Sequence, residues 1–168
     1  SFEKAAEQGD AGAQYNLAMW YYQRKDVVKA VAWARRAAEQ GHAEAQYNMG
    51  AAYALGDGVP QDFSKAVEWY RKAAEQGHTE AQVDLAKCYA TGRGVPKNPL
   101  RAVVLMRKAA EQGLAEAQLV LGVMYFDGRG VAQDYKQAVA WTRKAAEQGN
   151  ADAQYMLGMS YVQGKGVA

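Results

Sequence analysis

The sequence predicts an all-α solenoid built from helix-loop-helix repeats of about 36 residues. The pentapeptide Ala-Ala-Glu-Gln-Gly occurs five times, and three of its four intervals are 36 residues long. The chain has 34 alanines among 168 residues but only three prolines and three phenylalanines, a composition that favours helix over sheet. Because one helix pair cannot bury both of its faces, stacked pairs must share a core. The pentapeptides begin at Ala5, Ala37, Ala73, Ala109 and Ala145.

The first helix of each repeat, helix A, follows the pentapeptide and has about 13 residues. It reads Ala-Gln-x-x-(Leu/Met)-(Gly/Ala)-x-x-Tyr, and Ala45, Met49 and Tyr53 fall on one face of such a helix. One position of helix A always holds a small residue, and there we expect neighbouring helix backbones to approach closely. The residues at that position are Ala18, Gly50, Ala86, Gly122 and Gly158.

A Gly-x-Gly-Val loop and a second helix, helix B, complete a full repeat. The loops occupy positions 56–59, 92–95, 128–131 and 164–167. An Asp or Asn then supplies the N-cap of helix B, which ends at a glycine suited to a left-handed cap. The caps are Asp26, Asp62, Asn98 and Asp134, and tryptophan recurs in helix B at Trp33, Trp69 and Trp141.

The first repeat lacks the loop. Four residues separate Tyr21 from Asp26, whereas eight separate Tyr53 from Asp62. We therefore expect the first connection between helices to differ from the others.

The repeats predict a single solenoid domain over residues 1–168. It comprises the end of a preceding helix B (1–9), a shortened repeat (10–41), full repeats (42–77, 78–113 and 114–149) and a partial repeat (150–168). Ser1 takes the tryptophan position of the first helix B. The count of about 4.7 repeats predicts an excised segment of a longer solenoid, or one completed by neighbouring chains, and end-to-end self-stacking through uncapped termini.

Charge and cysteine content exclude several classes of protein. The 20 basic and 18 acidic residues leave a net charge of +2, so we expect no nucleic acid partner. The longest uncharged run considered, residues 117–126, is half the roughly 20 residues that a transmembrane helix needs. The single cysteine, Cys88, rules out an internal disulfide.

Candidate chemical groups recur with the repeat and are interpreted as structural. The Gly-x-Gly loops could cradle phosphate, but each follows a helix and lacks the third glycine of a dinucleotide site. His42 and His78 have no cysteine or carboxylate cluster at ligand spacing, so we expect exposed N-cap residues and not metal ligands. Cys88 is interpreted as a small apolar side chain of helix A. The sequence predicts no catalytic residue, metal or cofactor, and no enzyme.

The repeat resembles the Sel1-like repeat family, relatives of the tetratricopeptide repeats. The resemblance rests on the Gly-x-Gly-Val loops, on residues 117–125 (Ala-Gln-Leu-Val-Leu-Gly-Val-Met-Tyr) and on the Trp-x-x-Lys-Ala-Ala-like end of helix B, and it covers nearly the whole chain. It implies a right-handed α/α superhelical solenoid of about ten helices that serves as an adaptor in bacterial proteins, often exported ones. A cysteine-rich branch of the family, stapled by disulfides and associated with β-lactam binding, is not a suitable comparison because the chain has one cysteine.

The helix A positions that vary between repeats are the candidate partner-binding residues. What the architecture requires recurs in every repeat, and these positions, spaced i, i+3, i+4 and i+7, form one stripe on each helix. By analogy with tetratricopeptide-like solenoids we expect them to line a concave groove; alternatively, some of them pack between repeats. The predicted groove residues are Asn16, Met19, Trp20, Asn48, Asp84, Lys87, Val120, Met124, Met156 and Met159.

Trp20 has two interpretations. Other repeats have Ala52, Cys88, Met124 or Ser160 at its position, so the architecture does not require a tryptophan there. It is either a binding hot spot or a filler of the space that the short connection leaves.

The leading prediction is a non-catalytic protein-protein interaction module that binds a protein or peptide in this groove. One alternative is an immunity or inhibitor protein that neutralises a toxin. Another is an envelope peptidoglycan or carbohydrate binder, in which Tyr15, Tyr47, Tyr155 and Trp20 would stack on sugars.

Overall fold

The computed structural model describes residues 2–168, which form ten α-helices and no strand. The prediction of an all-α fold of paired helices is confirmed, while Ser1 lies outside the described residues. None of these helices combines the length and the apolar character of a membrane span. The helices are α1 (Phe2–Glu7), α2 (Ala11–Gln23), α3 (Val27–Glu39), α4 (Ala43–Leu55), α5 (Phe63–Glu75), α6 (Thr79–Thr91), α7 (Pro99–Glu111), α8 (Ala115–Asp127), α9 (Tyr135–Glu147) and α10 (Ala151–Gln163).

Even-numbered helices are helix A segments and odd-numbered helices are helix B segments. The described residues divide into two compact units, unit 1 (2–81 with Arg93–Val95) and unit 2 (Gln82–Gly92 with Pro96–Ala168). In unit 1, α2 packs on α1 and α3, and α4 packs on α3 and α5. In unit 2, α8 packs on α7 and α9, and α9 also packs on α10.

The N-termini of the helix B segments use the Asp and Asn caps that the sequence predicts. The side chain of Asp62, for example, accepts a hydrogen bond from the backbone N–H of Lys65 at 3.1 Å. His42 and His78 cap their helices through Nδ1, which accepts from the N–H three residues later at 3.2 Å in both cases. The expectation that both histidines are exposed is wrong, because both residues are half-buried and the side chain of His78 is only 8% exposed.

Two recurring glutamine positions connect successive repeats. Gln46, 5% exposed, donates from Nε2 to the carbonyl oxygen of Ala38 at 3.1 Å, and its Oε1 accepts from Nε2 of Gln76 at 2.7 Å. Gln76 also donates to the carbonyl oxygen of Gly41 at 2.9 Å. Because buried amides need hydrogen-bond partners, this network explains why Ala-Gln and Glu-Gln-Gly recur together. The equivalent pairs are Gln14 with Gln40, Gln82 with Gln112, and Gln118 with Gln148.

The second glycine of each Gly-x-Gly loop sits against the start of the preceding helix B. A Cβ atom at Gly94, where φ is +70°, would lie 2.3 Å from the carbonyl oxygen of Phe63. The corresponding distance from a Cβ atom to the carbonyl oxygen would be 2.3 Å for Gly130 and Pro99 and 2.1 Å for Gly166 and Tyr135. A side chain has no room at this position, so the loops are explained as turns that pack against the neighbouring repeat.

Close approach of helix backbones does not explain all of the small residues in helix A. At Gly50 a Cβ atom would lie 2.5 Å from Cδ1 of Tyr70, so a ring and not a helix backbone takes up the space. At Gly122 the nearest atoms are Oγ1 of Thr142 at 2.4 Å and the carbonyl oxygen of Ala138 at 3.1 Å. The expectation of close backbone approach is therefore wrong at Gly50 and holds in part at Gly122.

Candidate partner-binding site

The predicted groove residues of unit 1 lie on α2 and α4. Asn16 is exposed, whereas Met19, Trp20 and Asn48 are half-buried. Nδ2 of Asn48 lies 3.7 Å from the sulfur of Met19, so the structure brings these two residues together. The remaining surface of this stripe is formed by Ala51, Ala52 and Leu55, of which Leu55 is 76% exposed.

Trp20 packs at the beginning of unit 1. Its ring meets the ring of Tyr21 edge-on, with centroids 5.0 Å apart, and the guanidinium carbon of Arg24 lies 3.6 Å from the centroid of the ring. Arg24 and Lys25, the latter with a φ of 61°, belong to the short connection between α2 and α3. The tryptophan also packs against the buried cluster of Ala6, Ala13 and Leu17. These contacts favour the space-filling interpretation of Trp20.

A cavity of about 200 Å³ opens between α2, α3 and α4 in unit 1. Its walls come partly from the variable helix A positions, among them Met19, Asn48 and Leu55. The other wall is the first half of α3, with Val27, Ala30, Val31 and Ala34. Met19 and Asn48 in the first wall were predicted from the sequence as groove residues, whereas none of the residues in the second wall was.

Two polar side chains, Tyr22 and Asp57, also line this cavity. The hydroxyl of Tyr22, a residue that is 52% exposed, donates to Oδ2 of Asp57 at 3.4 Å. Neither residue was predicted from the sequence. The signal that could have found Asp57 is the residue between the two loop glycines, which is acidic here and basic in every other loop.

The predicted polar residues of unit 2 form an ion-pair cluster. Nζ of Lys87 lies 2.8 Å from Oε1 of Glu116 and 3.7 Å from Oδ1 of Asp84. Burial lowers the pKa of Lys87, but the hydrogen bonds and the charges of Glu116 and Asp84 outweigh it and leave the pKa raised. The two candidate residues are therefore close together and already paired with charges of the chain itself.

The predicted apolar residues of unit 2 differ in how much surface they offer. Met124 is 9% exposed and packs in the core, which leaves almost none of its surface for a partner. Val120 and Met156 are half-buried, and Met159 is 37% exposed. Met156 and Met159 line a cavity of about 190 Å³ together with Phe126, Tyr155, Ser160 and Gln163.

Two tyrosines that could have stacked on sugars stack on histidines instead. The ring of Tyr15 lies 4.6 Å from the ring of His42 at an interplanar angle of 21°, and Tyr47 and His78 repeat the arrangement at 4.7 Å and 22°. Burial, then the charge of Glu44, raises the pKa of Tyr15 against the lowering effect of its hydrogen bond with Asn48. One face of each ring is thus occupied by the fold.

The remaining candidate chemical groups are built into the helices. Nε2 of His78 lies 2.9 Å from Oε2 of Glu44, and Cys88 is buried with 8% exposure. Within residues 2–168, no cluster of three or more histidine, cysteine or acidic side chains is arranged to hold a metal ion.

Solved structures of several bacterial proteins are similar to this chain. A protective antigen of uropathogenic Escherichia coli that displays an SLR fold is 45% identical with a TM-score of 0.96, over 99% of this chain and 36% of that protein. A Sel1 repeat protein from Oxalobacter formigenes is 36% identical with a TM-score of 0.92, over 96% of this chain and 68% of that protein. An immunity protein from Pseudomonas aeruginosa is 28% identical with a TM-score of 0.57, over 92% of this chain and 57% of that protein.

The chain thus spans about a third of the length of the E. coli antigen. Among the curated proteins, none matches it. The family model described as Sel1 repeat matches six consecutive segments, at residues 2–10, 11–42, 43–78, 79–114, 115–150 and 151–168. The chain belongs to the Sel1 repeat family.

Proposed function

We propose that this chain is a non-catalytic interaction module that binds a partner protein or peptide through the helix A face of unit 1. The observation that carries the proposal is the apolar cavity of about 200 Å³, whose walls include helix A residues that differ from repeat to repeat. A solenoid offers surface and not reaction chemistry, and Sel1 repeats generally serve as protein-interaction modules.

Exposure supports the choice of this face. Leu55 is 76% exposed beside the cavity, and Tyr22 is 52% exposed. An apolar residue next to a concave site gains more from being covered than the same residue on a convex surface, because the partner can exclude water around it. Met19 and Asn48 would contact the partner from inside the cavity.

The candidate residues of unit 2 are proposed as a second, separate contact surface. Met156 and Met159 lie beside a cavity of their own, and flexible thioether side chains adapt to varied apolar partners. Asp84, Lys87 and Val120 belong to this proposed surface, while Met124 contributes little because it is buried.

Paired leucine substitutions test the proposal. A partner is first isolated by crosslinking and affinity capture on the immobilised chain, and its affinity is then measured by calorimetry. We expect Leu55→Asp to weaken binding about five- to thirtyfold, since losing an apolar contact of the interface costs roughly 1–2 kcal/mol. The control is Leu100→Asp, a leucine on α7 with a similar exposure of 69%, which should change the affinity less than about twofold. Equal affinities for the two variants would contradict the proposal.

A more specific candidate is an immunity or inhibitor protein that neutralises a toxin. The 28% identity to the P. aeruginosa immunity protein favours it, although that likeness extends over only 57% of the other protein. The captured partner is expressed in growing cells with and without this chain. Growth arrest that the chain relieves supports the immunity function, and growth that is unaffected by the partner alone argues against it. The envelope carbohydrate alternative has less support, because Tyr15 and Tyr47 stack on histidines.

A further inference from the structure

The residue between the two glycines of the loop is acidic in one repeat and basic in the other three repeats that have the loop. The loops read Gly-Arg-Gly, Gly-Arg-Gly and Gly-Lys-Gly around Arg93, Arg129 and Lys165, but Gly-Asp-Gly around Asp57. The repeat fold accommodates a cation at this position in three repeats. The fold therefore does not explain why Asp57 carries a carboxylate there.

The chain satisfies the three loop cations internally. The guanidinium carbon of Arg93 lies 4.9 Å from the ring centroid of Phe63, and Nζ of Lys165 lies 5.3 Å from that of Tyr135. Phe63 and Tyr135 are the first residues of their helix B segments. Where Pro99 takes that position, a guanidinium nitrogen of Arg129 instead pairs with Oδ2 of Asp127 at 3.2 Å.

The contact between α3 and the loop that follows α4 has neither the ring nor the cation. Val27 stands at the position of Phe63 and Tyr135, and Asp57 stands at the position of their cations. Two further positions are also small: Ala34 replaces Tyr70, Met106 or Thr142, and Ala52 replaces Cys88, Met124 or Ser160. All four residues line the cavity of about 200 Å³, which therefore lies where other repeats place larger groups.

We propose that this cavity binds one arginine side chain of the partner, with the guanidinium paired to Asp57 and the aliphatic stem lying against Val27, Ala34 and Ala52. An arginine side chain combines the two groups that are missing from this contact between repeats, an apolar body and a cation at its end. The inference rests on the proposed function and specifies the chemistry of the partner.

Size and charge both favour this occupant. A volume of about 200 Å³ is below the roughly 300–1,000 Å³ of small-molecule pockets and suits a single side chain. Asp57 makes no ion pair within residues 2–168, and its carboxylate accepts one long hydrogen bond from Tyr22. Covering that carboxylate with an uncharged apolar group would cost desolvation energy without a compensating bond, whereas a guanidinium can form two charge-assisted bonds with it.

A peptide titration followed by ¹H–¹⁵N NMR tests the proposal. The probe is the capped peptide Gly-Ser-Leu-Arg-Leu-Ser-Gly. A second peptide has citrulline in place of the arginine, because citrulline keeps the shape of arginine without its charge. We expect saturable shifts at Tyr22 and at residues 52–58 with a Kd below about 1 mM, and binding at least about tenfold weaker for the citrulline peptide.

Three variants of the full chain complete the experiment. Asp57→Asn should weaken binding of the arginine peptide at least about tenfold, and Ala52→Met, which introduces the residue of α8 at this position, should abolish it by filling the cavity. Glu68→Gln removes an exposed carboxylate of α5 outside the cavity and should leave the affinity within about twofold. The dispersion of each variant's own spectrum shows whether it is folded.

Equal binding of the two peptides, an unchanged affinity of Asp57→Asn, shifts located elsewhere, or no saturable shift at millimolar peptide would each overturn the arginine site. The proposed interaction surface is tested separately from the arginine site. If Leu55→Asp weakens binding of the captured partner and Asp57→Asn does not, the interaction surface stands and the arginine site is refuted.

Discussion

Replacing Gln46 with methionine tests the amide network that links successive repeats. Gln46→Met keeps the length of the side chain but removes the donor to Ala38 and the acceptor for Gln76. The carbonyl oxygen of Ala38, a residue that is 1% exposed, then loses its side-chain partner but keeps the bond from the backbone N–H of Gly41, and Gln76 keeps its bond to the carbonyl oxygen of Gly41.

The expected loss of stability follows from the hydrogen bonds that the substitution removes. The substitution removes two hydrogen bonds, each with a net contribution of about 0.5–1.5 kcal/mol, and the greater apolar character of methionine offsets part of the loss. We expect the free energy of unfolding to fall by about 1–2 kcal/mol. The assay is urea denaturation followed by circular dichroism at a helical wavelength.

The chain contains a matched control for this substitution. Gln154 holds the equivalent position of α10 and donates to the carbonyl oxygen of Ala146 at 3.3 Å, but it is exposed. Since water can replace its bond, Gln154→Met should change the free energy of unfolding by less than about 0.5 kcal/mol. Equal effects of the two substitutions, or no loss for Gln46→Met, would refute the structural role assigned to the network.

Three further predictions concern packing, backbone and charge. Met49→Ala, at a side chain with 0% exposure, should lower the free energy of unfolding by about 2–5 kcal/mol, whereas Met159→Ala should stay within about 1 kcal/mol in the same denaturation experiment. Gly94→Ala should lower the melting temperature more than Gly77→Ala, because both glycines have positive φ but only the first leaves no room for a Cβ atom; equal shifts would contradict the contact. The pKa of Lys87 is raised from 10.5, so its ion pairs stabilise the fold below that pH and the contribution is lost as the pH rises through the higher folded value. Lys87→Met should therefore remove part of the pH dependence of stability above pH 10.5, and an unchanged profile would count against the ion-pair cluster.

The repeat architecture was predictable because its determinants are local and periodic. The intervals between pentapeptides fix the length of the repeat, and Asp62 or Asn98 marks the start of a helix B by a bond that spans three residues. Both signals can be read within one repeat and then checked against the next. The structure confirms the order and type of the helices that follow from them.

Features that depend on residues about 20 to 30 positions apart were harder to predict. The bond between Gln46 and Gln76 joins two motifs that look like separate helix signals in the sequence. The burial of His78 depends on its stacking on Tyr47 from the preceding repeat. At Gly50 the sequence shows that the residue is small but not that the ring of Tyr70 fills the space.

The candidate site was predicted only on its helix A side. Met19 and Asn48 were found because they vary between repeats, and the structure places both in the wall of one cavity. The α3 wall was missed because Val27 and Ala34 look like ordinary apolar helix residues until their sizes are compared with Phe63 and Tyr70. The cavity exists because these residues are smaller than their equivalents in other repeats. That difference in size becomes visible only when the repeats are compared.

Site-specific photo-crosslinking tests the central claim most directly, namely that the helix A face of unit 1 contacts the partner. Benzoylphenylalanine is introduced in place of Leu55 and, in a second protein, in place of Leu100, two leucines of similar exposure on a helix A and a helix B segment. Irradiation in the presence of the captured partner should give a covalent adduct from position 55 and none from position 100. An adduct from position 100 alone would contradict the account and place the interface on the helix B side.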